Sequence, residues 1–518
     1  MATTIDQNFE SKIAKDYCHQ GDYITIGGAK LNNTPIENLQ VTIPLKTLSR
    51  HGLITGATGT GKTKTVQVLV EKFSAQGIPS VVMDMKGDLS GISQEGTTNK
   101  VIKEREKFIG LDWQATAFPT EFMTISKEPG LPMRATVTEF GPVLFSKLLD
   151  LNENQTGLVA LVFQYADDNQ MPLIDLKDFK KLINYLTNEG KQELKESYGM
   201  SVATNSASSI LRKVIELEQQ GGKKFFGEKS FEVKDLMRVD EDGYGFINLL
   251  RLKDIQAKPK LFSTFMLSLL AEIYETFPEE GELDEPKLMI VFDEAHLIFK
   301  NASKALLEQL EMIVKLIRSK GVGLIFCTQD PSDIPDAILA QLGLRIQHSL
   351  RAVTAKDRKN IKLISENLPS SDFYKTNKLI SQLGIGEALI TCLNEKGRPT
   401  SLVHTLIAPP ESRMDTITKA ELMSVINCSD IIDEYFERID DESAYEMLNK
   451  KIAKAQKEAA EVEKQKSKKK KSHNRMSLGE AMAKTAGRTF VNYAVRGLMG
   501  ALVGKGLSKI VKKVVKSI

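Results

Sequence analysis

The stretch Gly56-Ala57-Thr58-Gly59-Thr60-Gly61-Lys62-Thr63 constrains the fold of this chain more than any other. It matches the pattern G-x-x-x-x-G-K-[ST] in the context that gives the pattern meaning, between apolar Leu53-Ile54 and the helix-like run Thr65-Val66-Gln67-Val68-Leu69-Val70. Glycines let the backbone turn tightly enough for successive N–H groups to face phosphate oxygens, and a helix starting there adds its positive N-terminal dipole. In such a loop the nucleotide contacts run from Gly56 through Lys64. Lys62 reaches the β and γ phosphates, and Thr63 ligates Mg²⁺. A glycine-rich turn that binds nothing is the alternative, and the strand and helix on either side argue against it.

A second stretch supplies acids. Leu288-Met289-Ile290-Val291-Phe292 runs into Asp293-Glu294, so five apolar residues predict a strand buried on both faces that delivers two carboxylates to one sheet edge. Phosphoryl transfer needs a metal-bound Asp and a group that positions the attacking water, roles that fit Asp293 and Glu294. Leu324-Ile325-Phe326-Cys327 is another such strand, ending at Thr328-Gln329. Ser80-Val81-Val82-Met83-Asp84 is a third, and it leads into Met85-Lys86-Gly87-Asp88. Ligands of open α/β sheets bind at the carboxyl ends of the strands, which makes Asp84, Lys86 and Asp88 nucleotide-proximal candidates; a solvated turn is the other reading.

With 518 residues the chain has room for one large domain with insertions or for two to three smaller ones. Residues 1–50 read as a short β segment, with alternation in Tyr23-Ile24-Thr25-Ile26 and Val41-Thr42-Ile43. A sheet-bearing core is expected over 51–410. Within it, Gln114 to Ser126 alternates enough to predict a hairpin, and residues of about 140–280 turn to helical periodicity, as in Leu158-Val159 with Val162-Phe163. That helical insertion suits a lid, a partner surface or packing alone. Glu387 to Cys392 and Ser401 to Ile407, joined through Gly397-Arg398-Pro399, predict a late pair of strands. Residues 411–471 read as a charged helical or linker segment and 472–518 as a basic, glycine-rich amphipathic tail.

The net charge of +3 hides an asymmetry: Lys464 to Ile518 holds fifteen Lys and Arg against one acid, Glu480, which leaves the rest of the chain at −11. The tail therefore suits phosphate backbones, an anionic membrane surface, or solubility alone. Cys18, Cys327, Cys392 and Cys428 fit no metal spacing, and no signal peptide or apolar run of eighteen is present, so a reducing, cytoplasmic setting is expected.

Taken together, these blocks resemble the HerA and FtsK superfamily of hexameric P-loop motor ATPases, and more narrowly the bacterial HerA-like helicase C-terminal-domain family. The resemblance runs through Arg50 to Gly56, Met85-Lys86-Gly87-Asp88-Leu89, Asp293-Glu294-Ala295-His296-Leu297, Arg318 to Gly323, Thr328-Gln329, Leu342 to His348 and Leu383 to Ala388, in family order. It implies an α/β fold: a RecA-like P-loop NTPase core with a mostly parallel central sheet, a helical insertion and a basic C-terminal tail. It also implies ATP and Mg²⁺ as cofactors and a homo-hexameric ring acting on DNA as a translocase or helicase. In that scheme Lys62 and Thr63 form the Walker A pair, Asp293 is the Walker B metal ligand and Glu294 the base. Gln329 is the polar sensor and Arg345 the arginine finger acting in trans, with Arg351 as the alternative and a surface ion pair as the plain reading of either.

Two departures from the family matter. Only about fifty residues precede the loop, where archaeal HerA carries a β-barrel, and neither the membrane helices nor the winged-helix domain of FtsK is visible. A nucleotide-switched scaffold or a protein-pumping ATPase resembling type IV secretion motors is therefore the competing function. Asp293-Glu294-Ala295-His296 also spells the box of a helicase superfamily with two RecA-like domains per chain, but no second motif set follows.

Overall fold

The computed structural model describes residues 4–255, 258–300, 304–437 and 442–472. Among them are twelve strands: β1 (Tyr23–Leu31), β2 (Thr34–Pro44), β3 (Gly52–Thr55), β4 (Ser80–Asp84), β5 (Thr120–Thr124), β6 (Leu131–Pro132), β7 (Ile247–Arg251), β8 (Leu288–Phe292), β9 (Val322–Thr328), β10 (Leu344–Gln347), β11 (Glu387–Thr391) and β12 (Val403–Ile407). They form one sheet in the order β2-β1-β12-β11-β10-β3-β9-β8-β4-β7-β5-β6. From β10 to β6 every neighbouring pair is parallel, while β10/β11, β11/β12, β12/β1 and β1/β2 are antiparallel. The fold is thus the expected mixed α/β one with a large, mostly parallel sheet.

The four central strands β3, β9, β8 and β4 are buried at every position, which is why they read as unbroken apolar runs instead of alternating ones. On one face the helix Lys62–Ala75 packs Val66, Leu69, Val70 and Phe73 into a core shared with Ile24, Ile26, Ile54, Val82 and Val291. Phe292 and Phe326 stack at 4.9 Å between centroids. A helix at Thr4–Asp16 was not expected from the sequence; Phe9, Ile13 and Tyr17, spaced by four, bury its inner face. The stretch 114–126 is not a hairpin. Only β5 forms there, parallel to both neighbours, because the preceding backbone is drawn away to Glu411 and Ile92 through the N–H groups of Thr116 and Phe118.

The chain divides into two compact units, the first comprising Met1–Ala135 and Lys229–Arg438 and holding the whole sheet. Residues 229–280, expected with the helical insertion, lie in this unit and supply β7. Residues 411–426 also belong to its core, with Leu422 and Ile426 buried there, so the boundary expected at 410 falls inside a packed region. The second unit combines Thr136–Glu228 with the described part of 439–518. Its helices include Val137–Leu148, Glu153–Asp168, Leu176–Thr187 and Ala444–Ser472. Phe145, Phe163 and Phe179 form its aromatic centre, and Asn152 and Asp175 close capping boxes at two helix starts. Most of the basic tail, from 473 on, lies outside the described residues.

Candidate nucleotide site

The phosphate-loop sequence leaves the carboxyl end of β3 and enters the helix that begins at Lys62. Gly56, Gly59 and Gly61 take φ of 154°, 80° and 110°, which L side chains rarely adopt, and a Cβ on Gly56 would lie 2.5 Å from that of His348. The Lys62 ammonium donates to the carbonyls of Gly56 at 2.7 Å and Ala57 at 3.1 Å, and burial lowers its pKa. Thr60 Oγ1 donates to Ala57 O at 2.8 Å. Thr58 and Gly59 are exposed at the tip, and Thr63 and Lys64 are half-buried in the first helical turn. Lys64 Nζ donates to Gln67 Oε1 and to Met414 O.

The acids arrive two strands away, at the same edge. Asp293 is 4% exposed and Glu294 7%. Asp293 Oδ1 accepts the Glu294 N–H at 3.0 Å, while its Oδ2 is buried without a hydrogen-bond partner. Burial pushes the Asp293 carboxyl up to about 7, with Lys86 pulling the other way and Glu294 adding to the rise. Glu294 sits at φ 52°, a left-handed backbone that is uncommon for a residue with a Cβ. Its Oε1 pairs with Lys86 Nζ at 2.5 Å and its Oε2 lies 3.3 Å from His296 Nδ1. Burial raises the Glu294 pKa, and the Lys86 pairing outweighs it, for a net lowering. Lys62 feels the charges of Lys86, Glu294 and Asp293, so all four groups share one electrostatic neighbourhood.

Asp84 ends β4 beside β8, where its carboxylate accepts the N–H of Gly87 at 2.7 Å and of Leu89 at 3.4 Å; burial raises it to about 6. It holds the turn that carries Lys86. Gln329 follows β9 and accepts from Thr58 Oγ1 at 3.4 Å, reaching the loop from the strand between β3 and β8. Arg345 is different. It lies inside β10, in register with Leu53, and donates to Leu339 O at 3.2 Å; burial lowers its pKa, and no carboxylate pairs with it among the described residues. Arg351 is exposed beyond the same strand. The structure therefore brings Lys62, Asp293, Glu294 and Gln329 to one edge, and leaves Arg345 apart from it.

Several groups at this site were not singled out from the sequence. Behind the loop, His348 pairs through Nε2 with Thr65 Oγ1 at 2.9 Å and through Nδ1 with Glu387 O at 2.8 Å. Gly386 N donates to Thr60 O at 3.0 Å, and Ala57 N donates to Ser349 O at 2.8 Å. Across the outer face of the helix runs a strap, residues 411–415. The buried Glu71 carboxylate accepts the N–H groups of Glu411 and Ser412, and Gln67 donates to Ser412 Oγ at 2.7 Å and Arg413 O at 3.1 Å. Only the position of His348, one residue past the end of a strand, could have marked it in advance. The strap leaves no local signal.

The chain matches the model of the family described as "Helicase HerA-like C-terminal" over residues 29–518. It is similar to the DNA double-strand break repair helicase HerA of Sulfolobus acidocaldarius, 24% identical over 371 residues, and to that of Sulfurisphaera tokodaii, 25% identical over 375. Those matches cover 70% and 68% of this chain; the chain spans 66% and 64% of the relatives' own length. Among solved structures, the plasmid coupling protein TrwB in complex with a non-hydrolysable GTP analogue aligns with a TM-score of 0.51 at 14% identity, covering 79% of this chain and 95% of that one. This likeness fixes the fold as that of RecA-type P-loop ATPases. Among the described residues no helix is long and apolar enough to cross a membrane. On the family match over nearly its whole length, the chain belongs to the HerA-like helicase C-terminal family.

Proposed function

We propose that this chain is a Mg²⁺-dependent, ATP-hydrolysing ring motor that acts on DNA as a translocase or helicase. The observation that carries the reading is the convergence, at one sheet edge, of a left-handed glycine loop, Lys62 and two buried acids in a member of the HerA-like family. The loop N–H groups and Lys62 hold the β and γ phosphates, whose oxygens replace the carbonyls of Gly56 and Ala57 as partners of the ammonium. Asp293 Oδ2, buried and without a donor, suits a hard cation, and Thr63 offers the second oxygen. Mg²⁺ bound there supplies neutralisation of the charge that develops on the phosphoryl oxygens. Glu294 orients the attacking water and takes its proton, and Gln329, tied to Thr58, senses the γ-phosphate.

The ring is part of the same reading. A cation over the γ-phosphate can be worth about 10³ to 10⁵ in rate, and Arg345 from an adjacent subunit supplies it in this proposal, with Arg351 as the alternative. Arg345 would first have to release Leu339 O, whereas Arg351 is exposed already. Names of the archaeal relatives favour DNA as the polymer. The competing reading, a scaffold or protein pump, predicts ATP turnover indifferent to DNA.

Phosphate release from ATP with and without duplex DNA, across a range of salt, tests the proposal. Turnover should require Mg²⁺, rise with DNA at low salt and vanish in Lys62→Ala. Glu294→Gln should still bind ATP while turning over slowly. Mixed rings of Glu294→Gln with Arg345→Ala or Arg351→Ala subunits should regain partial activity only for the arginine that acts in trans. Unchanged turnover in Lys62→Ala would sink the assignment.

A further inference from the structure

Glu294 is held through one of its two carboxylate oxygens, while the other, Oε2, is buried without a hydrogen-bond partner. Its side chain is 8% exposed, its Oε1 is taken by Lys86 at 2.5 Å, and its Oε2 lies 3.3 Å from His296. The Lys86 side chain, by contrast, is 36% exposed, so one partner of this pair is open to solvent and the other is not. Lys86 rides on a turn fixed by buried Asp84 through the N–H groups of Gly87 and Leu89, with Gly87 at φ 77°. The turn leaves β4, on the side of β8 opposite to β9 and the phosphate loop. Lys86 thus reaches Glu294 from the β4 side, close enough to Lys62 for the two positive charges to oppose each other.

A carboxylate hydrogen-bonded to an ammonium is fixed in orientation and is a weaker base toward a water than a free one. The partner most able to draw an exposed lysine away is a phosphate oxygen, which offers the same charge-assisted bond with more acceptor sites. We propose that Lys86 is a positioning residue: it restrains Glu294 and exchanges it for a phosphate oxygen, freeing the carboxylate when that phosphate is in place. The inference rests on the ATPase reading above. The phosphate has two possible sources, the γ-phosphate of the nucleotide and the backbone of a bound nucleic acid, and the chemistry at Lys86 is common to both.

Steady-state ATP turnover of the full chain, with and without duplex DNA, distinguishes them in Lys86→Met and Lys86→Arg. Because the pair is partly exposed, effects of about 5-fold are expected rather than the large losses of a Lys62 variant. If nucleic acid is the source, Lys86→Met raises DNA-free kcat about 5-fold and DNA adds little more. With the γ-phosphate as the source, KM for ATP rises about 5-fold at unchanged DNA stimulation. In either case Lys86→Arg, which keeps the ion pair, stays close to the parent protein. Two outcomes overturn the proposal: kcat, KM and DNA stimulation of Lys86→Met all within 2-fold of the parent, or a fall in kcat at constant KM. Lys62→Ala run alongside keeps the two readings apart, since its loss of turnover upholds the nucleotide site whatever Lys86 does.

Discussion

Asp178 and Asp293 are both buried carboxylates, one in the helical unit and one at the sheet edge, and they are treated in opposite ways. Asp178 is 0% exposed and fully engaged: one oxygen accepts the N–H groups of Ile174 and Asp175, the other Ser443 Oγ at 2.6 Å and Tyr445 N at 3.0 Å. Asp293 receives one backbone N–H and keeps an oxygen bare. The first carboxylate ties together two stretches of sequence that are distant in the chain. The second stores an unmet demand for positive charge, and that is what a cation site looks like at the level of hydrogen bonds. Burial alone does not tell these two carboxylates apart; the number of donors does.

The contrast can be broken by mutation. Asp293→Asn should lower kcat for ATP by about 10³ while leaving the melting temperature unchanged or higher, since it removes a poorly compensated buried charge. A melting temperature that falls with the rate would make Asp293 a structural residue and erase the distinction.

Asp178→Ala should do the reverse. It strands four donors and should cost about 4 kcal/mol, read by urea unfolding of the helical unit, with ATP turnover per folded molecule retained. Full stability in that variant would mean that counting donors is a poor guide here.

Glu71 sharpens the comparison because it combines both behaviours: it accepts bonds from the strap, yet burial raises its pKa to about 7. A folded-state value above the ordinary one of about 4.5 means that its contribution is complete below pH 4.5 and is lost as the pH climbs through 7. Glu71→Gln should therefore flatten the decline in stability between pH 5 and pH 8 by about 2 kcal/mol. Parallel pH profiles for the two proteins would show that the strap donors already stabilise the ionised form.

The sequence makes plain whatever is local at this site. A glycine loop, an apolar run ending in Asp293-Glu294 and another ending in Thr328-Gln329 each announce themselves within ten residues, because a strand buried on both faces has to be apolar throughout and can turn polar only at its end. What could not be read depends on partners far apart in the chain. Lys86 was visible as a residue of the active edge, but its pairing with Glu294 follows from β4 lying beside β8. His348 and Gly386 back the loop because antiparallel β11 lies next to β10, and Glu71 meets a strap 340 residues later. The helix at Thr4–Asp16 is another matter: Phe9 and Ile13, with Tyr17 just past its end, stand at a four-residue spacing that the polar residues around them obscure.

The strap also sets a timetable. During synthesis the helix that opens at Lys62 emerges long before residues 411–415 exist, and the sheet partners of β3, namely β9 and β10, are themselves made more than 250 residues later. Until then Gln67 and Glu71 have no strap to meet, and the loop has no frame to hold its shape. The phosphate-loop end of the sheet is therefore among the last parts to become native, which places it with slow-folding, high-contact-order topologies that stay exposed to aggregation while the ribosome is still working.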